Sequence, residues 1–174
     1  MKVLINMKKT FLFIALVILS RLALGQDDRV FKFRGSITDK TDGKAIVDFM
    51  VDVFEGGTLV QTVASHKKGQ FDMDLNGASK YTIEISKSGY YPKRAIIITD
   101  VPADIRKLPL FKFEMELIRH EEYADLESLD PFSTSIFDFP YVIFEYDASV
   151  QDLNYRKDYT DYIKDQYKAV EDLR

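Results

Sequence analysis

The sequence predicts a mainly β protein: a seven-stranded antiparallel Greek-key β-sandwich, followed by an aromatic, acidic extension and a C-terminal amphipathic helix. Three observations predict it. Seven short stretches between Phe31 and Leu117 alternate apolar and polar residues with period two, the mark of a strand with one face on a core. Turn chemistry separates them, as in Asp39-Lys40-Thr41-Asp42-Gly43, Gly56-Gly57, Lys67-Lys68-Gly69 and Asn76-Gly77. Gly accepts positive φ there, and Asp bonds its own backbone. After His120 the alternation gives way to aromatic and acidic residues, and then to helical spacing.

The first stretch places Phe31, Phe33 and Ile37 on one face and Lys32, Arg34, Ser36 and Thr38 on the other. The second alternates Val47, Phe49, Val51 and Val53 with Asp48, Met50 and Asp52, and the third runs from Leu59 to Ala64. Phe71, Met73 and Leu75 mark the fourth, and Tyr81, Ile83 and Ile85 the fifth. Ala95 to Thr99 is an unbroken apolar run, expected of a strand covered on both faces. In the seventh, Phe111, Phe113, Met115 and Leu117 alternate with Lys112, Glu114 and Glu116. Such strands, with turns every few residues, pack as two sheets face to face.

Residues 1–25 are expected to be a cleaved signal peptide and no part of the fold. Lys2, Lys8 and Lys9 precede the apolar run Phe11–Leu19, and Ala23-Leu24-Gly25 offers small residues to a signal peptidase. The run is too short for a bilayer-spanning helix, which needs about 20 residues. With no Cys in the chain, lipid attachment to an N-terminal Cys is excluded, as is any disulfide. Cleavage before Gln26 leaves 20 basic residues against 28 acidic ones, a net charge of −8. A domain this acidic repels nucleic acid and anionic lipid, so neither is an expected partner, and no membrane insertion is expected after cleavage. The expected destination is the periplasm or the outer membrane's vicinity. Residues 26–118 are assigned to the sandwich and 119–174 to the extension.

The order Gly35-x-Ile37-x-Asp39, Gly43-x-Ala45-Ile46, Val51-x-Val53, Gly69-Gln70-Phe71, Tyr81-Thr82-Ile83 and Lys87-Ser88-Gly89-Tyr90 resembles the carboxypeptidase regulatory-like domain, a transthyretin-like sandwich. The resemblance covers Phe31 to Leu117 and implies a stand-alone copy of a module found in Gram-negative envelope proteins. It also implies a binding or folding-support role, so the chain is expected not to be an enzyme and to need no cofactor.

The residues themselves offer little chemistry. His66 and His120 are the two histidines, too few for a zinc site of three or four ligands built on His and Cys. His120-Glu121-Glu122 lacks the second histidine of a metal-binding helix. No Ser lies on a nucleophile turn. Phe33-Arg34-Gly35-Ser36 sits in the first strand, unlike the C-terminal Tyr-Arg-Gly-Ser of transthyretin-like hydrolases. Asn76 and Asn154, the asparagines past the signal, lie outside the core strands that a Lys–Asn isopeptide would join. The D-x-D-x-D-G spacing of a calcium loop is absent.

The extension is the distinctive part. Residues 120–152 hold nine acids and no Lys or Arg, together with seven aromatic residues. A disordered acidic tail is poor in aromatics, so this segment is expected to pack. Residues 141–146 read as an eighth strand. Residues 158–173 read as a helix with Tyr159, Tyr162, Ile163, Gln166, Val170 and Leu173 on one face. Two uses compete: covering the chain's own sandwich, or docking a partner through Phe132, Phe137, Phe139 and Tyr141. The expected partner is an outer-membrane or periplasmic protein, a peptide or a glycan. A role as structural accessory of an outer-membrane transport or secretion assembly is the alternative.

Overall fold

In the computed structural model of the chain, residues 29–129 and 134–173 are described. Residues 1–25, the expected signal segment, and Phe132 lie outside them. The alternating stretches become β1 (Val30–Asp39), β2 (Met50–Glu55), β3 (Thr58–Ala64), β4 (Gln70–Asn76), β5 (Lys80–Ser86), β6 (Lys93–Ile98) and β7 (Phe111–Leu117). The extension adds α1 (Ala124–Leu129), β8 (Pro140–Asp147), β9 (Asp152–Tyr155) and α2 (Lys157–Glu171), with 3-10 turns at His120–Glu122 and Ser135–Asp138. Among the described residues these strands form a three-stranded sheet, β4-β1-β7, and a six-stranded sheet, β3-β2-β5-β6-β8-β9.

The inner faces follow the period-two pattern. Phe31, Phe33 and Ile37 of β1, Phe71, Met73 and Leu75 of β4, and Tyr81, Ile83 and Ile85 of β5 are all buried in one core cluster. Removing this apolar area from water drives the two sheets together. The second stretch starts later than its alternation suggests. Asp48 takes φ 57° and breaks the strand, Val47 is exposed, and Phe49 is tied instead to Ser65 through backbone and hydroxyl hydrogen bonds. In β6, Ala95 and Ile97 are buried while Ile96 and Ile98 are half-covered, so the run is less enclosed than expected.

The all-antiparallel expectation fails at two pairings: β7 runs parallel to β1, and β8 runs parallel to β6. The first is fastened at the point where β7 enters. The Arg29 guanidinium, just before β1, donates to the carbonyls of Val101, Pro102 and Ile105 at 2.8–2.9 Å. That latch brings the loop after β6 to the start of β1, so β7 enters beside that end and runs the same way. The second arises because β8 returns to the open edge of β6 only after a long connection, as a parallel pairing requires.

Gly35 and Asp39 fix β1 in place. A side chain at Gly35 would meet the Phe71 ring at 2.2 Å, so glycine lets that ring fill the core. Asp39 is buried and accepts hydrogen bonds from Tyr90 Oη (2.7 Å), Arg119 Nε (2.6 Å) and the Thr41 amide (2.8 Å). Burial opposes its ionisation, but these donors outweigh it and hold the carboxyl below its ordinary range. The network ties the end of β1 to the β5–β6 turn and to the segment following β7.

The extension is built into the sandwich. β8 and β9 widen the larger sheet, and α2 packs on β8. A second cluster forms from Ile118, Tyr123, Phe137, Ile163 and Tyr167. The buried stripe of α2 is Thr160, Ile163 and Tyr167, flanked by half-buried Tyr159 and Val170, whereas Tyr162, Gln166 and Leu173 face outward. The true stripe therefore departs from the expected face, which omits Tyr167 because this amphipathic residue stands beside polar neighbours in the chain.

Candidate functional site

β7 is an edge strand, paired with β1 alone among the described residues. An edge strand presents backbone N–H and C=O groups outward. Beside it lies an open cleft of about 460 Å³, whose other walls come from β8, β9 and α2. The placement follows from the topology: β8 belongs to the opposite sheet, and the chain turns through β9 into α2 on the same side.

Phe111, Phe113 and Phe144 meet at the cleft, with Phe144 5.0 Å from Phe111 and 5.5 Å from Phe113 between ring centroids. The stack continues inward from Phe113 to Phe71 (5.7 Å) and from Phe71 to Phe49 (6.0 Å). The floor is therefore held rigidly by the core. Tyr141 and Val142 stand on the β8 side, and half-exposed Tyr155 stands near the β9 end. Lys112, Glu114, Asn154 and Lys164 supply polar groups around the rim.

The far wall is braced by an ion pair. Arg156 Nε donates to Glu145 at 3.0 Å, and its second nitrogen also reaches this carboxylate. The Arg156 hydrogen bond, opposed by modest burial, holds the Glu145 carboxyl below its ordinary range. The Arg156 amide donates to Ile143 O at 2.7 Å, and Tyr159 Oη donates to Pro140 O at 2.6 Å. These bonds fix the first turn of α2 against β8.

The structure separates the four residues singled out for docking. Phe137 is buried, with its ring 5.2 Å from Tyr123 and 5.3 Å from Tyr167. Tyr141 is half-buried between the two clusters, and one side of it lines the cleft. Phe139 is 55% exposed and lies outside the cleft lining. Phe132 lies outside the described residues. The cleft residues missed from sequence, Phe111 and Phe144, read there as ordinary inward-facing strand positions. The free edge of β7, set by pairing order, had no sequence signal.

His66 stands 3.4 Å from Asp72 and is largely exposed, while the His120 ring sits edge-on to Tyr91 at 4.4 Å. Among the described residues no group of three or more His, Cys, Asp or Glu is placed to hold a metal ion, and no helix is long and apolar enough to cross a membrane.

Fold and site together define a mainly β sandwich with an integrated C-terminal helix. No family model matches the sequence, and no curated protein does. Solved structures are similar over about half of the chain. A 3-chlorocatechol 1,2-dioxygenase from Rhodococcus opacus shares 11% identity over 55% of this chain and 62% of its own, with TM-score 0.41. The TIE protein of Bacillus anthracis shares 14% identity over 52% of this chain and 17% of its own, with TM-score 0.44. The major pilin subunit of Bacillus cereus shares 18% identity over 51% of this chain and 29% of its own, with TM-score 0.42. The chain thus spans less than two thirds of the length of each.

One expectation is corrected by these neighbours. The sequence reading took the chain not to be an enzyme, yet the similar structures include chlorocatechol, hydroxyquinol and catechol 1,2-dioxygenases. A sandwich scaffold does not separate binders from catalysts, so the fold gives no ground for expecting that the chain is not an enzyme. At these identities and TM-scores the neighbours transfer no activity or substrate to this chain.

Proposed function

We propose that this chain is an exported envelope module of the carboxypeptidase regulatory-like kind, which binds an extended segment of a partner protein along β7. The observation that carries the reading is the union of a strand edge, unpaired by any other described strand until Lys93 caps it at the Glu116 carbonyl, with an aromatic cleft. In β-strand addition the edge supplies main-chain hydrogen bonds, and pockets for alternate side chains supply selectivity. β7 offers both, since the Phe111, Phe113 and Phe144 floor lies beside its edge. At the other end of the larger sheet, the edge strand β3 leaves Leu59 and Val60 exposed. Export rests on the Lys2–Gly25 signal pattern, and the family assignment on the Gly35 to Tyr90 motif order. A partner in the periplasm or outer membrane follows from that destination. The same edge would serve an accessory subunit of a transport or secretion assembly.

The test is selection of the mature protein against a displayed library of random dodecapeptides, with hydrogen exchange on the selected complex. Enriched peptides are expected to alternate apolar and polar residues and to protect amides within Phe111–Leu117. Tyr155→Ala and Phe111→Ser are each expected to weaken them about tenfold, the loss of one good aromatic contact. Protection that maps to β3 or β9, enrichment of no peptide, or binding to a glycan array through the same cleft would each overturn the reading.

A further inference from the structure

Next to the cleft, and separate from it but for Tyr141 and Lys164, lies a second hollow of about 230 Å³. Its walls come from four elements: Lys40 after β1, Glu116 of β7, Tyr141 of β8, and the Lys164, Tyr167, Lys168 and Glu171 face of α2. At its inner end is Lys93, the first residue of β6, only 6% exposed. A lysine so enclosed is rare without a partner of opposite charge. Its ammonium donates to the Glu116 carbonyl at 2.7 Å and stands 3.7 Å from the Tyr141 ring centroid and 5.5 Å from that of Tyr167. Carbonyl and ring take two of its three protons. Among the described residues no carboxylate forms an ion pair with Lys93, while Lys40 pairs with Glu171 at the rim.

We infer that this hollow binds one small oxyanion, a carboxylate or a phosphate group, with Lys93 as its buried donor and Lys164 and Lys168 as its gate. Four lysines face two glutamates here, a local excess of positive charge in a chain whose formal net charge is −4. Field lines concentrate in such a recess, where the anion replaces water beside an amine that the fold has already desolvated. The site goes beyond peptide binding along β7 and does not depend on it.

Proton uptake accompanies the anion. Burial pushes the Lys93 amine down to about 7; Glu116 opposes that fall and Lys40 adds to it. The phenols of Tyr141 and Tyr167 are pushed up by burial and stay neutral beside it. An anion seated against Lys93 favours the ammonium, so affinity rises as pH falls through that value.

Acetate is the clean probe, because its own charge is constant across this range. Amide spectra of the ¹⁵N-labelled full mature protein are recorded during acetate titration at about pH 6 and about pH 8.5, with sodium chloride at matched ionic strength as control. Saturable shifts are expected at Ile118, Tyr141 and Lys168, with acetate binding about thirtyfold tighter at the lower pH. Lys93→Met is expected to fold and to lose both the binding and its pH step. Lys168→Gln, at an exposed position, is expected to weaken binding and keep the step, so the test survives should Lys93→Met not fold. Titration with inorganic phosphate separates the sources: tighter binding than acetate assigns the natural ligand to phosphates, weaker binding to carboxylates. Shifts reproduced by chloride, equal affinity at both pH values, or unchanged binding in Lys93→Met would overturn the inference.

Discussion

At the residue scale, two positions in β1 show how narrow the margins are. Gly35 lies opposite Phe71 in the β1–β4 pairing, and the Phe71 ring fills the space that a Cβ would need. The ring is fully buried and packed edge-on between Phe49 and Phe113, so it has nowhere to move. Gly35→Ala is expected to destabilise the fold by about 3 kcal/mol, a typical cost of overpacking. Adding Phe71→Leu should recover part of that loss. Chemical denaturation of the single and double variants measures the coupling, and additive losses would show that the clash is relieved elsewhere. Asp39 works through charge. Because its folded value lies below its unfolded one, its stabilisation is complete above the unfolded value and is lost as pH falls through the folded one. Asp39→Asn is expected to cost about 2–4 kcal/mol at neutral pH, since Arg119 loses its buried counter-charge and one of the two acceptor oxygens that serve Tyr90, Arg119 and Thr41 becomes a donor. Its melting temperature should also fall less steeply than wild type between about pH 4 and pH 2, which thermal melts across that range would check.

At the element scale, what the sequence announces depends on where the forming forces lie. β1, β4, β5 and β7 are legible because each buries alternate residues, and that period is printed in the chain itself. β9 is not legible: four residues with Leu153 alone buried give no period to read. α1 and the two 3-10 turns are likewise too short to show one. Pairing direction is invisible to alternation, since parallel and antiparallel neighbours bury the same face. The Arg29 bonds to Val101, Pro102 and Ile105, which hold the loop before β7 at the start of β1, join residues more than 70 positions apart and leave no mark in the alternation. The candidate sites share this limit. Phe111 and Phe144 form the cleft only because β7 and β8 belong to facing sheets. Lys93 reads as a plain lysine opening an apolar strand, and its enclosure comes from Tyr141 and Tyr167, far along the chain. Of the aromatics in the extension, packing was readable from composition. Which of them would be spent inside, as Phe137 is, was not.

At the scale of the whole molecule, the question is whether sandwich and extension unfold as one body. The larger core and the cluster beneath α2 are distinct sets of buried residues, but Tyr141 packs against both. β8 carries the connection further, since its Val142 and Phe144 belong to the sandwich core while α2 packs on the same strand. A shared sheet and a shared aromatic make separate melting costly: releasing α2 would uncover Tyr141 and Phe137 and take the Tyr167 ring away from Lys93. The chain is therefore expected to unfold in a single cooperative transition. Tyr167→Ala tests this, because Tyr167 meets the rings of Phe137 and Tyr141 at 5.3 and 5.2 Å. The substitution is expected to cost about 3–5 kcal/mol, and native-state hydrogen exchange should show the slowest amides of β2 and β5 losing that same protection as those of α2. If α2 alone loses protection, the extension is a separable unit resting on a self-sufficient sandwich. The cleft beside β7 would then be walled by a part that opens on its own.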